Sequence, residues 1–390
     1  MVARKTIGIP VFLNSKENTG ITNYVINILF ALRKLEEKKQ PIVLLFYTKN
    51  VQIDLSFFES SNYEKLKLVP LENVHPNNII KRALNKLYRS FFKQNLFVNT
   101  TIFDDVDFFF PFWDFISELK SIPSHKRIHW LVDFNSYYFP EYYSSEMLKY
   151  DQNWKNRVVE SGEKIVLSSY ASKIEFEKIF HNAKNEIKIL RFVSSPIFHK
   201  IEKKIILDKF LISENYFIVL NQFWPHKNHQ VVIEALNLIT KEYKDLKIVF
   251  TGNLSVNRKG KNEEQDYLCT LYNLIEKYNL NDKIIFTDFL DRNDQINLMN
   301  YASAIIQPSL YEGWNTSVEE GKSLNKIILL SEIEVHKEQM NQNCYLFNPY
   351  DFEKLSRLML DVLIEKYPIN ILNYNRKNEE YALEIINLND

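Results

Sequence analysis

Residues 303–332 read "SAIIQPSLYEGWNTSVEEGKSLNKIILLSE", a strand, a loop, a helix and a strand in succession. "SAIIQPS" (303–309) and "KIILLSE" (326–332) are short apolar, β-branched runs of the kind that fill buried strands. "SVEEGKSL" between them has helical spacing. Strands joined through a helix run parallel, because a two-residue hairpin cannot make that crossover. The same alternation extends upstream. "YFIVLN" (216–221), "KIVFTG" (247–252) and "KIIFTDF" (283–289) read as strands, with "HQVVIEALNLITKEY", "EEQDYLCTLYNLIEKY" and "NDQINLMNYA" as the helices between them. The expectation is an α/β protein with a parallel sheet covered on both faces.

The first half repeats the theme. "TIGIPVFL", "PIVLLFY", "VDFFFPF", "RIHWLV" and "EKIVLSS" are strand candidates, and "NYVINILFALRKLEEK" (23–38) and "ASKIEFEKIFH" are amphipathic helices. "SSPIFHKIEKK", within 194–212, fits neither period and reads as the joint. A chain of 390 residues is too long for one ordinary core, so two doubly wound domains are expected. Ligands in such folds sit beyond the carboxyl ends of the strands. The loops that follow strands, 310–316 among them, are therefore the places to search.

Composition narrows the function classes. Lys plus Arg and Asp plus Glu number 49 each, so net charge gives no argument for a nucleic-acid partner. Only 7 glycines are present and no G-x-G-x-x-G loop, which argues against a nicotinamide or flavin enzyme. Cys269 and Cys344 make neither a disulfide framework nor a zinc site. The apolar run from Ile7 to Leu13 is too short for a signal core and reads as a first buried strand. No stretch reaches the ~18 apolar residues of a membrane span. The expected compartment is the cytoplasm. Aromatics at 14% fit core filling first, and stacking surfaces or a membrane face second.

Residues 77–97, "NNIIKRALNKLYRSFFKQNLF", carry five Lys or Arg and no acid. Ile80, Leu84, Leu87 and Phe91 form one stripe, and Arg82, Lys86, Arg89 and Lys93 another, two positions on. Two positions are about 200° around a helix, so the stripes oppose each other. That is the pattern of a helix lying in an anionic membrane surface. The alternative is a surface helix whose apolar face packs on the domain.

Two strand-end loops carry chemistry. Lys227 sits just ahead of the helix begun by "HQVVIEAL", where backbone N–H groups favour anions, and is a phosphate-ligand candidate. His226 and His229 lack a nearby acid or Cys to complete a metal shell. In the second loop Thr316-Ser317-Val318-Glu319 fits the S/T-x-x-E capping box, which gives Glu319 a structural task and leaves Glu312 and Glu320 free.

Glu312 and Glu320 have the E-x7-E spacing of retaining glycosyltransferases of family 4, and residues 308–339 resemble that family's signature along their length. "NQFWPHKNHQVVIEAL" resembles its phosphate-binding loop, and "VLSSYASKIEF" and "NTGITNYVINIL" resemble weaker signatures of its first domain. The resemblance implies the GT-B fold: Rossmann-like domains at 1–200 (acceptor side) and 201–368 (nucleotide-sugar side) facing a cleft, with a C-terminal helix at 369–390 crossing back. It implies sugar transfer from a nucleotide diphosphate sugar with retention, without metal or other cofactor, to a glycan or lipid-linked glycan. Glu312 would lie by the donor sugar, Glu320 would accept from the ribose hydroxyls, and Lys227 would neutralise the leaving phosphate. The amides of Asn315, Thr316 and Ser317 would face the diphosphate. Gln222, Gly252, Gly313 and Trp314 would complete the donor site, Asp133 would be catalytic, and Gly20 and Ser169 would lie on the acceptor side.

The chain departs from the family pattern at named places. Gln222 stands where the family has Arg, Thr19-Gly20 replaces a glycine pair, Val132-Asp133 replaces His-Asp, and Asn325-Lys326-Ile327 replaces Gly-Lys-Pro. Three other readings compete. "DDVD" (104–107) contains a D-x-D of the metal-dependent transferases of another fold. Two carboxylates also serve a glycoside hydrolase. A sugar-nucleotide binder without activity, partnering another transferase, fits the loss of the Arg and the His.

Overall fold

The computed structural model of the chain describes residues 4–11, 19–48, 55–71, 78–92, 96–113, 118–254 and 263–390, the side chains of 19, 56, 57, 89 and 263–266 excepted. Two parallel sheets organise these residues. The first is built from β1 (Thr6–Val11), β2 (Ile42–Tyr47), β3 (Leu66–Pro70), β4 (Phe108–Phe112), β5 (Arg127–Trp130), β6 (Lys164–Leu167) and β7 (Ile187–Ile189), in the order β3-β2-β1-β4-β5-β6-β7. The second contains β8 (Tyr216–Leu220), β9 (Lys247–Thr251), β10 (Ile284–Phe286), β11 (Ala304–Gln307), β12 (Ile328–Ser331) and β13 (Cys344–Phe347), in the order β10-β9-β8-β11-β12-β13.

Each sheet reverses its winding once, between β1 and β4 in the first and between β8 and β11 in the second. Such a switch point opens a crevice at the carboxyl ends of its two strands. In the second sheet the loops leaving β8 and β11 carry Lys227 and Glu312.

Burial explains why the central strands read as unbroken apolar runs. Phe217 and Val219 of β8 enter one core, and Tyr216, Ile218 and Leu220 enter the core on the other face. Alternate residues of one strand thus fill two helix-covered layers. The Thr316–Ser323 helix lies close on its sheet because residue 321 is Gly. A Cβ there would stand 2.7 Å from Ile305 Cδ1 and 2.9 Å from Ile328 Cδ1. The Tyr374–Ile386 helix returns to the first lobe, where Tyr381, Ala382 and Ile385 join the core around Tyr24 and Leu29.

Some expectations shift. The helix expected over 23–38 spans Thr19–Arg33, and the Gln40 side-chain amide closes it by donating to the carbonyls of Arg33 (3.2 Å) and Leu35 (2.8 Å). Asp107 of the D-x-D is engaged at the strand entry, its carboxylate accepting from the Thr6 amide at 2.6 Å. Helix Ile79–Phe92 does not lay its apolar stripe on the domain. Ile80, Leu87 and Phe91 are 70%, 60% and 73% exposed. A third face holds it: Asn85 is buried, donates to the Phe97 carbonyl (2.6 Å) and accepts from the Phe97 amide (2.7 Å). Lys93 lies outside the described residues. Among the described residues no helix is long and apolar enough to cross a membrane.

Candidate functional site

Asn228 has a left-handed backbone (φ 55°), a conformation Asn tolerates better than most residues. Its amide donates to the carbonyls of Pro308 (3.1 Å) and Pro349 (2.7 Å), pinning the β8 loop to the β11 loop. The Leu310 amide adds a 2.7 Å bond to the His226 carbonyl. These ties bring Lys227 Nζ to 2.7 Å from Glu312 Oε1. Ser309 Oγ (2.7 Å) and Asn315 Nδ2 (3.1 Å) donate to the same oxygen. Burial pushes the Glu312 carboxyl up, but Lys227 and the Ser309 hydroxyl more than offset this, and its pKa falls below the ordinary carboxylate value.

The helix that follows is capped by Asn315, not Thr316. The Asn315 side chain accepts from the Val318 amide at 3.1 Å. The expected capping box is therefore not formed, and Glu319 turns inward to Lys322 (2.6 Å), Tyr374 (2.6 Å) and Gln339 (3.1 Å). Gln339 also answers the Asn315 backbone, accepting its N–H (3.1 Å) and donating to its carbonyl (3.0 Å). The Asn315 amide is thus occupied and cannot face a diphosphate as expected. Thr316 and Ser317 hold the first-turn N–H groups that a helix leaves without internal partners. The Ser317 hydroxyl reaches toward the Leu220 carbonyl at 3.5 Å.

Glu320 is buried against Arg292, with Ser194 Oγ 3.1 Å away. Gln222 is exposed at the loop edge and accepts from the Asn253 amide (3.1 Å). Gly252 lets two loops touch, since a Cβ there would be 2.5 Å from the Asn221 carbonyl oxygen. Gly313 does the same between lobes: a Cβ would be 2.4 Å from the Val132 carbonyl oxygen and 3.0 Å from Asp133 Cβ.

Trp314 and Ser169 belong to this lobe contact. The Trp314 indole donates to the Phe192 carbonyl (2.9 Å) and packs on the first-lobe core, which takes it out of the expected donor shell. Ser169 accepts from the Ser172 amide at the start of its helix and donates to the Gly313 carbonyl (3.1 Å), so its hydroxyl is engaged within the protein. Gly20 lies in the first turn of the Thr19–Arg33 helix, exposed, with nothing among the described residues within 4 Å of a Cβ. Asp133 accepts from the Asn135 amide (3.1 Å) beside Tyr311 and Glu175.

Several participants had no signal in the sequence reading. Tyr311, next to Glu312, donates to Glu175 (2.9 Å) and accepts from the Phe134 amide (2.9 Å). Burial, with Asp133 nearby, raises the Glu175 pKa to about 7 against the pull of the Tyr311 hydroxyl. Glu338 accepts from the Tyr170 and Ala171 amides (3.0 and 2.6 Å) and pairs with Arg191 at 2.9 Å. The aromatic run 137–143 stacks on Trp224 and His226 of the second lobe. His226 and His229 sit among different rings. His226 stacks on Phe139, while His229 sits between Phe223 and Phe250, and burial, with Lys227 adding, lowers each pKa to about 3. No group of three or more His, Cys, Asp or Glu among the described residues is placed to hold a metal ion.

Residues 202–382 match the family described as glycosyl transferases group 1. The match covers the second lobe and reaches into the C-terminal helix, just under half of the chain. Lys227, Glu312 and Glu320 all fall inside it. The O-antigen chain mannosyltransferase RfbU of Salmonella typhimurium is 22% identical over 252 residues, 65% of this chain and 64% of that protein. The serotype-specific mannosyltransferase WbdA of Escherichia coli is 26% identical over 161 residues, 41% of this chain and 19% of its own length. The chain thus spans less than two thirds of either relative. Sucrose-phosphate synthase from Thermosynechococcus elongatus superposes with a TM-score of 0.64 at 13% identity, covering 99% of this chain and 98% of its own. The architecture is GT-B, two such sheets with flanking helices.

Proposed function

We propose that the chain transfers a hexose, mannose foremost, from a nucleotide diphosphate sugar to a growing glycan, with retention and without a metal. The observation that carries this is the Lys227–Glu312 pair at the switch point, beside the open N–H groups of Thr316 and Ser317 in a group 1 domain. A departing nucleoside diphosphate gains charge, and pre-placed donors that meet it lower the barrier. Lys227 and the two N–H groups would do so while Glu312 faces the sugar. Glu320 would take the ribose, with Arg292 supplying a cation where Gln222 replaces the family's Arg. Asp133 would stand on the acceptor side of the cleft. The named activity of the mannosyltransferase relatives supports mannose as the sugar.

Thermal shift against GDP, UDP, ADP and dTDP comes first, since a ligand bound only by the native state raises apparent stability. Transfer from the matching nucleotide sugar should persist in EDTA and fall by roughly 10²–10³ in Glu312→Gln. Nucleotide binding without transfer from any sugar donor would instead favour the non-catalytic partner, the reading that Gln222 supports.

The acceptor is read as a lipid-linked glycan met at the cytoplasmic face of an anionic membrane. The exposed apolar stripe of the Ile79–Phe92 helix and the acid-free sequence around it support this. The protein should sediment with phosphatidylglycerol vesicles and not with phosphatidylcholine alone, and Leu87→Glu with Phe91→Glu should abolish it. Equal sedimentation of that variant would end the reading.

A further inference from the structure

The stretch Phe134–Tyr143 carries six aromatic rings in ten positions. Three of them cross the cleft in stacks. Phe139 and Tyr142 lie parallel, 5.3 Å apart at 3°, and both stack on His226, at 5.4 and 5.9 Å. Tyr143 stacks on Trp224 at 6.4 Å, and Phe139 meets Tyr311 edge-on at 5.8 Å. His226 and Tyr311 are the chain neighbours of Lys227 and Glu312. The seam therefore borders the pair that the transfer reading places at the donor. His226 is only 3% exposed, and burial keeps its ring neutral, so it serves as an apolar plate. On the other side of Glu312, Gly313 lies close against the Val132 carbonyl, with no room for a Cβ between them. None of the N-lobe rings bears a charge suited to activating a sugar.

We infer that this aromatic seam is a water barrier: Phe139, Tyr142 and His226 are positioning residues that close the Lys227–Glu312 pocket so that an acceptor hydroxyl, not water, receives the sugar. The inference rests on the transferase reading. In transfer the bond from the anomeric carbon to the diphosphate oxygen breaks, and its electron pair leaves with the nucleoside diphosphate. The acceptor oxygen bonds to that carbon, and its proton passes to the departing phosphate. Water entering the pocket would follow the same course and give free hexose. Excluding it is one task of a closed site, and stacked rings held by both lobes suit it.

The test uses Phe139→Ala and Tyr142→Ala, with Tyr142→Phe as the conservative control. GDP-mannose serves as donor and octyl mannoside as acceptor. Free mannose per GDP released should rise at least fivefold in both alanine variants and stay at the wild-type value in Tyr142→Phe. An unchanged ratio with slower turnover would overturn the inference, leaving the seam a mere lobe contact. So would a loss of transfer that more acceptor restores without extra free mannose, which would make the seam an acceptor platform. If the wild type consumes no donor at all, the transferase reading fails, and hydrogen exchange still tests the barrier. The Leu310 amide, bonded to His226, should exchange faster in Tyr142→Ala, and an unchanged rate would overturn the barrier.

Discussion

Glu319 and Glu320 are neighbours, both buried, and they serve different partners. Glu319 and Lys322 form an ion pair within the helix, finished by Tyr374 from the C-terminal helix and Gln339. Removing one member of a buried pair strands the other, whereas replacing both with apolar groups is often close to neutral. Glu319→Ala should therefore cost about 3–5 kcal/mol in urea unfolding. Glu319→Leu with Lys322→Met should recover most of that, less about 1 kcal/mol for each hydroxyl or amide left without its partner. Glu320→Gln should weaken nucleotide binding more than it lowers stability. Glu175 sets a pH dependence. Its carboxyl titrates near 7 in the fold, against 4.5 unperturbed, with burial as the main cause. Between those values the folded state holds a proton that the unfolded state has lost, so stability falls as pH rises from about 4.5 to about 7. Glu175→Gln should match the wild type at pH 4 and melt about 2 °C higher at pH 8, in scans at both pH values.

Elements were legible where both faces of a strand are covered. β8, β11 and β12 are buried along their whole length, so their positions are apolar or small, Gln307 at the end of β11 excepted, and the run stood out. β3, β7 and β13 are sheet edges with half-buried positions, and nothing in "LKLVP", "IKI" or "CYLF" set them apart from loop. Lys227 and Glu312 were legible because charge at a strand-end loop has few structural uses. Tyr311, Glu338 and Arg292 were not, since each gains its role from a partner far away in sequence. The start of the Thr316–Ser323 helix failed for a local reason. Asn315, Thr316 and Ser317 are three cap-competent residues in a row, and the pull on Glu319 of Lys322 one turn on and of Tyr374 from the C-terminal helix decides between them. The decision is measurable. Asn315→Ala should lose about 1 kcal/mol as a cap and free Glu312 of one donor, while Thr316→Val should change stability by no more than about 0.5 kcal/mol. Chemical denaturation of the two variants side by side checks both.

At the scale of the whole molecule, three contacts join the Trp314 and Tyr311 bonds and the aromatic seam in setting how the lobes meet. Glu338 sits on the amides of Tyr170 and Ala171, Tyr374 reaches Glu319, and Gly313 touches the Val132 carbonyl. Lobes joined by polar contacts of this kind move relative to one another unless something holds them. Gly313 is the point at which the approach can be altered without touching a charge. A methyl group there would lie 2.4 Å from backbone oxygen, which cannot swing aside as a flexible side chain can. Gly313→Ala should therefore leave each lobe folded and force the cleft open. Small-angle scattering should show a larger radius of gyration, and circular dichroism no loss of helix or strand. Donor affinity should fall with it, because the loop that carries Glu312 would no longer rest against the Val132–Asp133 edge. Gly20→Ala is the matched control. Among the described residues nothing lies within 4 Å of a Cβ at that helical position, so the added methyl should raise stability by about 0.5–1 kcal/mol and leave the radius unchanged. If both variants scatter alike, the Gly313 contact does not set the spacing of the lobes.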